Sequence, residues 1–311
     1  MKSTSFEAHS DHVKILSASD NSWKEIKDFQ QLTECIHNKH IISSVFATQC
    51  FLFLCQVQTE EFLSKITNFK KLYPISTYAQ LLLTRLEMVS NNSEVCISLI
   101  QEILDEEKLA IENCAKNINS MIQNSERILI HSHSGHFESV FGGRIVEALK
   151  LANAENKDVH VFLINTPPKQ YALNLMATEL KSNNITFTLA PDTAAAILLK
   201  KSKVQKVFTT AKRMAANGDT VIDAGAYSLA LFCDHHSISF YSCGYHTMFD
   251  NKLPTGDSFS IQFTEPELFL DKDTFQRLES PRVYAPEVDV VPAKLITAWI
   301  MDDKIYNFFE G

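Results

Sequence analysis

All eight glycines of this 311-residue chain fall at or after Gly135, and the first proline is Pro74. A first third with no glycine and a single proline lacks the usual punctuation of turns and tight hairpins. Residues 1–120 are therefore expected to form an all-helical N-terminal domain. Apolar residues recur at spacings of three and four through Ile42 to Phe53, Tyr78 to Leu86, Val95 to Leu104 and Leu109 to Ile122. That period puts them on one face of a helix buried against a core. Ser90-Asn-Asn-Ser93 marks a break, and Pro74 starts or kinks a helix.

From Arg127 the rhythm changes. Ile128 to Ile130, Val159 to Ile164, Ile185 to Leu189, Val204 to Thr210 and Ile238 to Tyr241 read as strands. Helical patterns lie between them: one through Val140, Ile145 and Leu149, one over Lys169 to Leu180, a short one over Thr193 to Leu199, and Gly225 to Cys233. Strands alternating with helices imply a doubly wound, mainly parallel sheet covered on both faces. The expected class is α/β: a helical N-terminal domain followed, over 121–311, by an α/β domain for ligand binding and dimerisation. Thr247 to Ser280 is polar and reads as a surface excursion. Pro292-Ala-Lys-Leu-Ile-Thr-Ala-Trp-Ile300 reads as a closing helix with proline in its first turn.

Composition narrows the function classes. The content of 45% hydrophobic and 21% charged residues is that of a soluble globular protein. A formal charge of -8 gives no general attraction to DNA or to an anionic membrane. The longest apolar run, Val45 to Val57, is interrupted by Thr48, Gln49 and Gln56 and is too short for a bilayer. Lys2, Glu7, Asp11 and Lys14 stand where a secretory signal needs an apolar core. Seven cysteines, none in a C-x-x-C pair, read as reduced core residues of a cytoplasmic protein.

In an open parallel sheet, ligands bind beyond the carboxyl ends of the strands, where helix amino termini present unpaired N–H groups. That rule selects Ser132, His133, Ser134 and Gly135 after the first strand and Thr166 after the second. After the fourth it selects Lys212, Arg213, Asn217, Asp219 and, at the start of the next helix, Gly225. Hydroxyls, two cations and a helix-opening glycine suit a phosphate-like anion. The competing reading is that Lys212 pairs with a nearby carboxylate such as Asp223.

His131-Ser-His-Ser-Gly-His136 is similar to the H-x-H-x-D-H metal motif, but Gly135 replaces its aspartate and no later ligand cluster completes it. No metal and no cofactor are expected. No G-x-S-x-G elbow is present, so no serine triad is read either.

Five segments together resemble one family, the regulatory (alpha, beta, delta) subunits of initiation factor 2B with two sugar-phosphate isomerases, of methylthioribose 1-phosphate and ribose 1,5-bisphosphate. Leu129-Ile-His-Ser-His-Ser-Gly135 resembles its L-T-H-x-x-S/A-G turn, and Thr166-Pro-Pro168 stands at its T/S-R-P. Ile185 to Asp192 resembles its third strand, and Val207 to Tyr227 is similar to V-x-V-G-A-D-R-I-x-x-N-G-D followed by N-K-x-G-T-Y. Ala285 to Ala298 resembles N-P-x-F-D-x-T-P-x-E-L-I-T-x. The resemblance implies a helical domain before a CoA-transferase-like α/β domain, pairing into a homodimer.

It also implies where chemistry has changed. The isomerases carry a catalytic Cys where this chain has Ser132 and a catalytic Asp where it has Lys212. The arginine of T-R-P is Pro167, and Ile222-Asp-Ala-Gly-Ala-Tyr227 replaces N-K-x-G-T-Y. Proton exchange in aldose–ketose isomerisation needs groups that titrate near neutrality. The expected function is thus a non-catalytic, initiation-factor-2B-like regulatory subunit keeping a sugar-phosphate or nucleotide-type pocket, with protein partners of translation initiation. The alternatives are an isomerase-like enzyme with rewired residues and, more distantly, a metal-dependent hydrolase.

Overall fold

The computed structural model describes residues 6–8, 13–16, 22–38, 44–57, 65–69, 77–88, 93–131, 143–166, 176–177, 179–261, 263, 266–270 and 272–307. The first correction comes at once. Three strands, β1 (Phe6–Ala8), β2 (Val13–Leu16) and β3 (Trp23–Ile26), form an antiparallel sheet where only helices were expected. Its register sets Lys14 opposite Glu25, a favourable cross-strand charge pair. Ile15 and Ile26 are fully buried against α1 (Phe29–His37) and α2 (Ser44–Val57). Ser, Asp and Asn between Ser17 and Ser22 are turn formers in their own right, so the lack of glycine did not forbid strands there.

The helical part of the expectation stands. Helix α3 (Thr77–Met88) packs on the same core, and α4 (Ser93–Ser120) replaces the two helices expected over that stretch. Its first half buries Ile100, Ile103 and Leu104 in the N-terminal core; its second half buries Cys114, Ala115 and Ile118 against the large sheet. The expected boundary at residue 120 thus falls at the end of an element that both cores share.

The large sheet has seven strands: β4 (Arg127–Ile130), β5 (His160–Asn165), β6 (Phe187–Pro191), β7 (Lys206–Thr210), β10 (Ser239–Cys243), β13 (Ala298–Ile300) and β14 (Ile305–Tyr306). They run in the order β14-β13-β10-β7-β4-β5-β6, all parallel except β14. Alternate residues feed opposite faces, and the central strand β7 is buried on both, from Val207 to Thr210. Ile128, Ile130, Phe208, Tyr241 and Ile300 meet α4 and α5 (Arg144–Ala154). Leu129, Val207, Phe240 and Trp299 meet α6 (Ala195–Lys200) and α7 (Ala226–His235) on the other face.

Two further corrections concern the last third. The expected closing helix is a single 3-10 turn, Ala293–Leu295, followed by β13. Thr297 decides this locally: its N–H donates to the Phe240 carbonyl at 2.8 Å, and its Oγ1 accepts from the Phe240 N–H at 3.0 Å. The chain is thereby drawn alongside β10. A second sheet also went unread, with order β11-β8-β9-β12 from β8 (Arg213–Ala215), β9 (Thr220–Asp223), β11 (Phe249–Asp250) and β12 (Val288–Val291). Its β8–β9 hairpin closes through Asn217-Gly218, where Gly218 takes φ +85°. Hence Thr247 to Ser280 is not simply a surface loop; β11 pairs with β8, and helices Pro266–Phe269 and Lys272–Arg277 follow.

Candidate functional site

The carboxyl ends of β4, β5 and β7 meet the end of β9 and the start of α7, which is the crevice the strand pattern selects. His131 follows β4 directly, with its N–H donating to the Phe208 carbonyl on β7 at 3.1 Å. Its ring is buried at 2% exposure, and Nε2 lies 3.1 Å from the Ala224 carbonyl. Burial pushes its pKa below the ordinary histidine value, while Asp223, the Ala224 carbonyl, Asp289 and Asp192 pull the other way without reversing the shift.

Gly225 opens α7 with φ +94°, a conformation that side chains rarely adopt. The space is tight as well. A methyl group there would stand 3.2 Å from His131 Nε2 and 3.3 Å from Thr166 Cγ2. Two of the N–H groups expected to be unpaired at this helix start are already taken. Those of Gly225 and Tyr227 donate to Asp289 Oδ2 at 2.8 and 3.0 Å. Asp289, on β12, is thus a remote cap whose negative charge suits the positive end of the helix.

Lys212 leaves β7 on the same side, and its Nζ lies 3.2 Å from Asp223 Oδ1. Its side chain keeps 30% exposure; that of Asp223 keeps 8%. The pairing weighed as the competing reading is therefore present.

The remaining expected residues separate into two groups. Thr166, Lys212 and Gly225 share the crevice. Arg213, Asn217 and Asp219 belong to the β8–β9 hairpin and hold the chain to itself. Arg213 Nε donates to Asp250 Oδ2 at 2.9 Å, with Nη2 on the same oxygen. Asp219 accepts from Asn217 Nδ2 at 2.8 Å, Gly256 N at 3.1 Å and Ala293 N at 2.9 Å. Burial raises the Asp219 pKa, but these bonds outweigh it and hold the carboxyl below its ordinary value. Ser132, His133, Ser134 and Gly135 lie outside the described residues.

Sequence reasoning left out of the site His131, Asn165 and Asp289. His131 and Asn165 had a signal, since each is the last polar residue on an apolar strand. Asp289 had one only in the resembled closing motif, where it matches the D of N-P-x-F-D; nothing local tells that it caps an N–H 64 residues away. Among the described residues no group of three or more His, Cys, Asp or Glu could hold a metal ion, and no helix is long and apolar enough to cross a membrane.

The comparisons with known proteins agree on a single lineage. The Initiation factor 2 subunit family model matches residues 53–303. The methylthioribose-1-phosphate isomerase of Desulfitobacterium hafniense is 30% identical over 215 residues, covering 68% of this chain and 62% of that protein. The match thus spans less than two thirds of the relative's length. Delta subunit of translation initiation factor eIF-2B from A. fulgidus superposes with TM-score 0.78 at 18% identity, over 97% of this chain and 96% of that one. The 5-methylthioribose 1-phosphate isomerase of Pyrococcus horikoshii OT3 gives 0.77 at 20% identity, over 98% and 93%. At those identities the two structures establish the fold alone.

Proposed function

The chain belongs to the Initiation factor 2 subunit family, and from that premise we propose that it is a non-catalytic, regulatory-type member, cytoplasmic, which binds a small molecule without turning it over. The observation that carries this is the state of Lys212. It stands where the resembled isomerase motif has its catalytic aspartate, and its ammonium is 3.2 Å from Asp223. A lysine held in an ion pair stays protonated, so it offers no base near neutral pH. The second reading, an isomerase with rewired residues, draws on the 30% identity to a methylthioribose-1-phosphate isomerase and on the carboxylate that Asp223 keeps in the crevice. Nothing among the described residues or the relatives supports a metal-dependent hydrolase.

The assay is direct. The purified chain is expected to isomerise methylthioribose 1-phosphate at least about a hundredfold more slowly than a catalytic relative run beside it, the loss typical of a missing acid–base group. Clear turnover that disappears in Lys212→Ala would overturn the non-catalytic reading in favour of the second.

On this reading the chain works by assembly, with a second copy of itself and with proteins of translation initiation as partners. The C-terminal apolar segment does not supply the motive for self-pairing. Val288, Val291, Trp299 and Ile300 there are buried in the chain's own core, and Phe308 and Phe309 lie outside the described residues. Instead, Tyr227 and Leu231, one turn apart on α7, each keep 42% exposure, with Phe232 at 39% beside them in sequence. Light scattering at micromolar concentration should give about twice the 35.2 kDa of one chain. A mass of one chain, unchanged on concentration, would remove the homodimer.

A further inference from the structure

Residues 255–287, which lead from β11 into β12, hold seven acids against three bases, so half of the chain's net charge of -8 lies in this arm. Its large apolar side chains are uncovered. Phe263, Phe269 and Leu278 keep 50%, 50% and 49% exposure, and Tyr284 keeps 80%. Phe263 and Tyr284 meet edge to face with ring centroids 5.0 Å apart, and Phe263 bridges to Pro286. Asp257, Asp273 and Glu279 of the same arm are exposed and make no ion pair among the described residues. An acidic arm with bare aromatic rings calls for a basic surface with an apolar centre.

The chain carries such a surface elsewhere. Helices α6 and α7 pack side by side on one face of the large sheet. They end a few residues before β7 and β10, which are parallel neighbours, so both helix ends lie at the amino edge of that sheet. Lys200, Lys201 and Lys203 are exposed there and make no ion pair among the described residues; the exposed Asp234 of α7 stands against them. Ile197, 47% exposed, lies one turn before Lys200 and Lys201 on α6, beside the helix that carries Tyr227 and Leu231.

Topology tells how the two surfaces meet. Asp289, on the strand that the arm enters, accepts from the N–H groups of Gly225 and Tyr227. The root of the arm therefore lies at the start of α7, whereas the lysines lie at its end. A two-fold axis that crosses α7 near Leu231 sets the two copies of the helix antiparallel. The start of the partner's helix, with the root of its arm, then faces the lysine edge, and symmetry makes the same contact twice.

We infer that the occupant of the α6–α7 surface is the acidic arm of a second copy, exchanged reciprocally across the two-fold axis. The arm's apolar residues cover Ile197, and its acids face Lys200, Lys201 and Lys203. This rests on the proposed self-pairing through α7 and names the contact that makes it specific.

Analytical ultracentrifugation of the full chain tests it with two charge reversals on exposed residues, Lys200→Glu with Lys203→Glu, and Asp273→Lys with Glu279→Lys. Wild-type pairing is expected to weaken at least about threefold as salt rises from about 0.05 to 0.5 M, because screening acts on exposed charges. Each reversed variant sets like charge against like charge and should pair at least about tenfold more weakly, with an unchanged melting temperature. An equimolar mixture of the two should recover pairing, since the reversed face of one chain meets the reversed arm of the other. Tyr284→Ser should also weaken the wild-type pair; should a charge reversal fail to fold, this variant and the salt series decide. Pairing unchanged in the reversed variants or in Tyr284→Ser, a mixture no tighter than its components, or a salt-independent constant would each overturn the arm contact and leave self-pairing through α7 standing. A wild-type mass of one chain at every concentration would remove both.

Discussion

Truncating Trp299 to alanine is expected to lower the stability of the α/β domain by about 3–5 kcal/mol, the cost of emptying a large buried aromatic site. Trp299 sits in β13, between β10 and β14, and is 2% exposed. Its indole N–H donates to Thr220 Oγ1 at 2.9 Å, and the Thr220 hydroxyl reaches on to the Gly218 carbonyl at 3.0 Å. One side chain therefore ties the large sheet to the small one and to the hairpin turn beyond it. Trp299→Phe should retain much of the packing and lose closer to about 1–2 kcal/mol, chiefly the hydrogen bond and part of the ring. Urea unfolding of the two variants would separate the contributions. A loss below about 1 kcal/mol for alanine would mean that β13 is not held in this core.

Trp299 also shows where sequence patterns fail. In Leu295-Ile-Thr-Ala-Trp-Ile300 the apolar residues fit both a helical and an alternating period, and a short apolar run cannot choose between them. Tertiary pairing chooses, through the two hydrogen bonds that Thr297 makes to Phe240. The central strands were legible because burial on both faces makes them short apolar runs, as in Ile128 to Ile130 and Val161 to Ile164. The N-terminal strands were not, because they are only three or four residues long and no glycine stands near them in sequence.

The site was legible to a similar degree. The crevice rule reaches Thr166, Lys212 and Gly225, which lie close to strand ends in sequence. It also gathers Arg213, Asn217 and Asp219, which are close in sequence but serve the hairpin. It cannot supply Asp289, whose role depends on a β12–β9 pairing that no local pattern announces.

The ion pair of the crevice gives the second large effect. Lys212→Asp is expected to cost about 2–3 kcal/mol, below the roughly 3–5 kcal/mol for breaking a fully buried pair. The discount follows from the 30% exposure of Lys212, which lets water screen the new repulsion. The partner cannot escape so easily: the Asp223 side chain is 8% exposed and would face a second carboxylate. In the resembled motifs G-A-D-R and N-K-x-G-T-Y, the acid falls at position 212 and the base at 223. This chain has Lys212 and Asp223, so acid and base have changed places, and here the two are paired. The same backbone should then tolerate either polarity. Lys212→Asp combined with Asp223→Lys is accordingly expected to return to within about 1 kcal/mol of the native stability, with a coupling energy of roughly 2 kcal/mol in the double-mutant cycle. If the two changes simply add, the contact between Lys212 and Asp223 carries no energy. The reading that an ion pair holds Lys212 out of acid–base chemistry would then lose its support.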